Sequence, residues 1–228
     1  IGTTISIKNL FFNVPARRKF LKSDAVEMRH IIDEFQRVAL VNPYLEFKLF
    51  HNGQSLFHLP AAKVRQRIIG ILGKGYNEKL VPLEEETDLV KLSGFIGKPD
   101  AAKKSRGEQF LFVNGRYFKS SYFHSAIQKA FEGLVPHGHH PSYFIYFEVE
   151  PSSIDVNIHP TKTEIKFEDE RAVYAILRSA VKRSIGQYHV SPSIDFEPEQ
   201  AFDVLPPTKG QHIERPGITV NTNYNPFA

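Results

Sequence analysis

Cysteine and tryptophan are absent from this 228-residue chain. Without thiols it can form neither disulfides nor thiolate metal sites, and nothing argues for secretion. No apolar run approaches the roughly 20 residues that span a bilayer. A signal peptide is lacking too: IGTTISIKNL opens directly in an alternating strand pattern, as a chain cut inside a domain would. Nor is there a large excess of either charge. Lys and Arg number 29 against 25 Asp and Glu, giving a net charge of +4 and a pI near 9.1. Such a balance permits contact with nucleic acid without demanding it.

Phe and Tyr are plentiful, at 19 and 9 residues, within an apolar fraction of 41%. That suffices to bury a core in one large or two small domains. Three parts follow from patterning. In residues 1–44, Thr4–Lys8 alternates as a short strand, and Pro15 suits the first turn of a helix. Asp24 and Glu27 are spaced as a capping pair. Val26, Ile31, Ile32, Phe35, Val38 and Ala39 then recur at helical spacing until Asn42-Pro43.

Residues 45–190 mix strands and helices. LEFKLFHNGQSLFHL reads as a hairpin turning at Asn52-Gly53, residue types that tolerate positive φ. VRQRIIGIL is a short helix, DLVKLSGFIG a strand, and GKPDAAKKSRGEQ a polar, basic loop. QFLFVNG is a strong strand, YFHSAIQKAFEGL an amphipathic helix, SYFIYFEVE and SIDVNIH strands, and ERAVYAILRSAVKRSIGQY a closing helix. The fold class expected is α+β, with helices on one face of a mixed sheet. Residues 191–228, rich in Pro, Asn and Thr, read as a linker or tail.

Several clusters carry potential chemistry. Arg17, Arg18, Lys19 and Lys22 in PARRKFLK are either an anion contact or a solvated helix end. Lys103, Lys104 and Arg106 pose the same choice in a loop of the kind that contacts DNA backbones. His137, His139 and His140 have no second ligand cluster, so a surface turn is expected and no metal. GILGKGYNE has its lysine misplaced for a Walker motif. VNGR, with Arg116, is a hairpin corner. No nucleophile stands beside a base. DVNIHPTKTEIKF is the odd stretch: Pro160 breaks a strand, and Lys162 follows the break in phase with Glu164 and Lys166.

Three long motifs then resemble one family. GTTISIKNLFFNVPARRKFLK, QFLFVNGRYF and DVNIHPTKTEIKF are similar, in order and spacing, to segments of the MutL mismatch-repair ATPases, most closely bacterial ones. These belong to the Bergerat-type (GHKL) ATPases. The resemblance implies the last strand and helix of a truncated GHKL ATPase domain at 1–44. It further implies a transducer domain of βαβ, ribosomal-protein-like character at 45–190, and a linker at 191–228. Lys162 would be the transducer lysine that contacts the γ-phosphate, aimed by the bend after His159-Pro160. Gly2 and Thr3 would lie beside the nucleotide, and Arg17, Arg18 and Lys19 would belong to a switching segment.

The family's catalytic glutamate with its magnesium Asn, its adenine pocket and its glycine-rich lid would precede Ile1. The parent is thus expected to bind ATP and magnesium and to hydrolyse ATP, while this chain alone binds no cofactor and is inactive. Implied partners are DNA, a MutS-type mismatch sensor, a downstream nuclease and helicase, and a second copy in the full-length dimer. No membrane is implied, and the setting would be the bacterial cytoplasm, at the nucleoid. For DNA the candidates are Lys103, Lys104, Arg106, Arg116 and Lys119, whereas Ser120 and Ser121 are neutral where relatives often carry basic residues. Two other readings stay open: an enzymatically inert DNA-binding module, and a gyrase-B-like transducer.

Overall fold

Two hydrophobic clusters, one on each side of a five-stranded sheet, organise the molecule. The structure, a computed structural model, describes residues 2–157 and 163–189. In chain order the helices are α1 (Pro15–Lys19), α2 (Asp24–Val41), α3 (Val64–Leu72), α4 (Ser121–Ala130) and α5 (Glu170–His189). The strands are β1 (Phe47–His51), β2 (Gln54–Leu59), β3 (Leu80–Glu86), β4 (Lys91–Gly97), β5 (Gln109–Val113), β6 (Arg116–Phe118), β7 (Tyr143–Glu148), β8 (Ile154–Asp155) and β9 (Lys166–Phe167).

The main sheet runs β3-β4-β7-β5-β6; β5 and β7 are parallel, and the other neighbours are antiparallel. Its central strands read as unbroken apolar runs because both of their faces are covered. In β7, Tyr143, Ile145 and Phe147 enter the first cluster while Phe144 and Tyr146 enter the second. In β5, Leu111 and Val113 divide from Phe110 and Phe112 in the same way. The expected layer of helices is α4 and α5, which pack on the first cluster through Phe123, Ile127, Leu177 and Val181. The opposite face also carries a layer: α2, α3 and the β1–β2 hairpin contribute Leu40, Ile68, Ile71 and Leu59 to the second cluster.

Turn chemistry is where the residue types require it. Asn52 and Gly53 have φ of 50° and 77°, and Asn114 and Gly115 have 47° and 77°. Both pairs close two-residue hairpins, in the conformation that the strand twist favours. α4 starts at Ser120, whose hydroxyl accepts the Phe123 N–H at 3.1 Å. A cap supplies a physical reason for a serine at this position.

Four local expectations need correction. Residues 4–8 form no strand: Ile5 and Ile7 are 81% and 78% exposed, and alternation alone gives a strand no partner to pair with. α2 is preceded by Ser23 rather than capped by Asp24, and the Glu27 carboxylate accepts the Lys22 N–H at 2.9 Å. On α2, Ile31 and Val38 face outward, while Phe35, Ala39, Leu40 and Val41 face the sheet. Among the described residues of SIDVNIH, Ile154–Asp155 pair with β9, and Val156 and Asn157 have already left the ladder. One strand was not read at all, namely β3. Pro82 argues against a strand, but β3 is a sheet edge, where a missing N–H is tolerated.

Candidate functional site

Two regions gather the candidate residues. The first is the connection around Lys162, which itself lies outside the described residues together with Ile158, His159, Pro160 and Thr161. Both ends of that connection are fixed. On one side the Asp155 carboxylate accepts the Asn157 N–H at 2.8 Å, a side-chain-closed turn just after β8. On the other, the Thr163 carbonyl accepts the Lys119 N–H at 2.7 Å, and Ile165 and Phe167 are buried in the first cluster. The β8–β9 pair closes the base. Ile165 and Phe167 share a face, as their alternation predicts.

The second region is basic. β4 ends at Gly97, and the loop through Lys103, Lys104 and Arg106 leads into β5. That loop is tied down rather than loose. Lys103 pairs with His140 through backbone hydrogen bonds in both directions, and its ammonium meets the Glu108 carboxylate at 2.6 Å. The Glu108 contact holds the Lys103 pKa above its usual value, with the Tyr76 hydroxyl adding to it. Arg106 Nε donates to His140 Nε2 at 3.3 Å. Lys104, Arg116 and Lys119 are exposed and have no carboxylate partner among the described residues.

The five DNA candidates do not form one patch. Val113 opposes Arg116 and Leu111 opposes Phe118, so Arg116 stands at the turn end of β5. Lys119 has run back toward Gln109, the end from which the basic loop arrives. Five strand residues separate those ends by about 13 Å of rise. Gly2 and Thr3 lie in an exposed, ladder-free segment, and a Cβ added at Gly2 would meet nothing within 4 Å. Arg17, Arg18 and Lys19 form the exposed last turn of α1.

A polar relay behind the loop was invisible in sequence, because its members are up to 34 residues apart. Tyr143 Oη lies 2.9 Å from His124 Nδ1, Gln128 Nε2 lies 3.5 Å from His124 Nε2 and 3.1 Å from His140 Nδ1, and His140 meets Arg106. Burial pushes the His124 pKa down, with the Arg106 guanidinium and His140 adding to it. A depressed histidine binds its proton more readily unfolded than folded. Stability therefore falls as pH drops through the unfolded imidazole's ordinary value of about 6.5. Urea midpoints measured across that range should decline toward acid. The decline should be shallower in His124→Gln; an equal slope in the variant would remove His124 as its cause.

Relatives place this arrangement. A family model described as "DNA mismatch repair protein, C-terminal domain" matches residues 68–186. The DNA mismatch repair protein MutL of Christiangramia forsetii is 59% identical over 226 residues, covering 99% of this chain and 37% of that protein. MutL of Flavobacterium psychrophilum is 58% identical over the same length and the same shares. The chain thus spans little more than a third of the curated relatives it matches. Among solved structures, the N-terminal domain of a DNA repair protein shares the fold with a TM-score of 0.66 at 21% identity, over 79% of this chain and 60% of that one. The ATPase domain of the mismatch repair endonuclease MutL from Aquifex aeolicus matches with a TM-score of 0.55 at 25% identity, over 76% and 59%. The three motifs, the sheet and these matches agree: the chain belongs to the MutL family of DNA mismatch repair proteins.

Proposed function

We propose that this chain is the transducer portion of a MutL-type protein that couples ATP binding and hydrolysis to dimer closure, to DNA binding and to relay of mismatch recognition. Its identity to MutL proteins over 99% of its length carries the reading. The relay would run from a MutS-type sensor to a downstream nuclease and helicase. Residues 1–44 close the ATP-binding domain, 45–190 form the transducer, and 191–228 lead onward as a linker. Exposed apolar surface supports that division: Ile5, Ile7, Leu10, Phe12 and Phe20 are each more than 60% exposed. Large apolar side chains left open to water along one segment are what a neighbouring domain would cover.

Among the described residues no three His, Asp or Glu side chains gather to hold a metal ion. In this reading ATP and magnesium are held by other parts of the parent, and no hydrolytic step is assigned to this chain's own carboxylates. What it supplies is Lys162, a compact cation whose role is to stabilise the γ-phosphate and the charge that develops on it. Gly2 and Thr3 border the nucleotide. DNA is held through phosphates by Lys103, Lys104, Arg106, Arg116 and Lys119, without sequence preference and with strong salt dependence.

The test is steady-state ATP hydrolysis by the full-length parent with and without Lys162→Ala. Loss of one preorganised charge contact of this type lowers turnover by about 10²–10³-fold. A variant that hydrolyses ATP at the parental rate overturns the lysine assignment.

A further inference from the structure

One end of the sheet carries a like-charge juxtaposition that nothing so far explains. The β3–β4 ladder continues one step past Leu80 and Gly97, where the Lys98 N–H donates to the Lys79 carbonyl at 2.8 Å. The next cross-strand pair is therefore lysine opposite lysine, an arrangement that weakens a sheet. Among the described residues no carboxylate comes within ion-pair distance of either. The Lys79 ammonium instead lies 5.6 Å from the Tyr76 ring centroid, and the Lys103 ammonium lies 5.0 Å from the same ring. Two cations thus share one aromatic ring. Lys74 starts the turn that carries Tyr76, and Lys104 and Arg106 continue the chain beyond Lys103. Glu108, the carboxylate nearest this ring, is already engaged by Lys103 and by the Tyr76 hydroxyl.

We propose that this lysine corner, centred on Lys79 and Lys98, is a docking surface for the phosphate backbone of duplex DNA. Ammonium groups on an open surface match a row of phosphates, whose charge is dense enough to relieve their mutual repulsion. Tyr76 is only 7% exposed, so it offers no platform on which an unpaired base could stack. The central pair is lysine, a point charge rather than a planar fork that reads base edges, so the contact is to backbone and independent of sequence. The corner lies at the loop end of β5, away from Arg116, and extends the Lys103–Arg106 loop by a second row of charge.

The inference deepens the DNA-binding part of the proposed function and is independent of the Lys162 assignment, since DNA titration requires no nucleotide. Binding of a fluorescent duplex to the 228-residue chain is followed by anisotropy at several salt concentrations. Each lost phosphate contact lowers the slope of log K against log salt by about 0.9. Lys79→Gln with Lys98→Gln should flatten the slope by about 2 and cut affinity about a hundredfold near 50 mM salt. The paired Lys→Arg variant should keep both slope and affinity. Unchanged slope and affinity in the Gln variant overturn the corner; if Arg116→Gln with Lys119→Gln then lowers binding, DNA binding itself survives elsewhere. A chain that binds no duplex, or binds single strands or polyglutamate in preference, overturns the proposal too.

Discussion

Gly94→Ala should unfold the protein or leave it without a cooperative transition. Gly94 sits in the middle of β4 with φ of 132°. A Cβ there would lie 2.0 Å from the Phe144 carbonyl oxygen, 3.1 Å from its carbon and 3.2 Å from Cδ2 of Tyr146. The first contact is with backbone, so no rotamer relieves it. β4 cannot retreat, because β3 holds its other edge and Phe95 and Ile96 beside the glycine are packed into opposite clusters. Overlap of this kind combined with a left-handed φ belongs to the rare class of substitutions that cost more than about 4 kcal/mol. That is a large part of the roughly 5–15 kcal/mol that holds a domain together. Gly53→Ala is the matched control: its φ is 77°, but an added Cβ meets nothing within 4 Å. Only the backbone penalty of about 1–2 kcal/mol then remains. Urea unfolding of both variants decides the matter. If Gly94→Ala costs no more than Gly53→Ala, the close approach of β4 to β7 is not what requires glycine.

Arg67→Met carries the second large effect. Arg67 is 1% exposed, yet among the described residues no carboxylate pairs with it. Nη2 donates to the carbonyls of Pro43, at 2.6 Å, of Leu45, and of Pro60, at 3.1 Å, and the guanidinium lies 5.3 Å from the Phe47 ring centroid. One side chain therefore fastens the exit of α2, the entry to β1 and the end of β2. Burial lowers the pKa of Arg67, but a guanidinium stays protonated regardless. Methionine matches the stem and removes every donor: the Pro43 carbonyl keeps only the Ala62 N–H, and the part-buried Leu45 and Pro60 carbonyls lose the guanidinium, at about 1–3 kcal/mol for each that water cannot reach. A total loss of about 2–3 kcal/mol is expected by urea unfolding, because hydrogen bonds to a charged donor are the stronger kind. Arg67→Lys should recover part of it, since an ammonium has three donors on a shorter reach. A methionine variant within about 0.5 kcal/mol of the parent, the range of neutral surface changes, would show that the clamp contributes nothing net.

Much of the fold was legible in sequence. Asn52-Gly53 and Asn114-Gly115 announced their hairpins because few other residues accept positive φ twice running. β5 and β7 stood out as continuous apolar runs because both faces are buried. What sequence could not supply was partnership. Ile5 and Ile7 alternate as well as any strand, yet no ladder forms on them. β3 was masked by Pro82 and three glutamates, and its pairing with β4 is what brings Lys79 opposite Lys98. The basic loop was visible as charge density. Its restraint by His140 was not, since a contact spanning 34 residues leaves no local pattern.

The position of β7 has a consequence for how the chain acquires its shape. β3–β4 and β5–β6 are each joined by short connections, so either ribbon can zip from its own turn. β7 follows both in the chain but inserts between them, antiparallel to β4 and parallel to β5. During synthesis the two ribbons therefore emerge with their inner edges open, awaiting one later segment. Distant closures of this type are slow, because loop entropy is lost before contacts are gained. A nascent chain halted short of Tyr143 would hold two sticky half-sheets, and its capture by holdase chaperones should cease once Glu148 has left the exit tunnel.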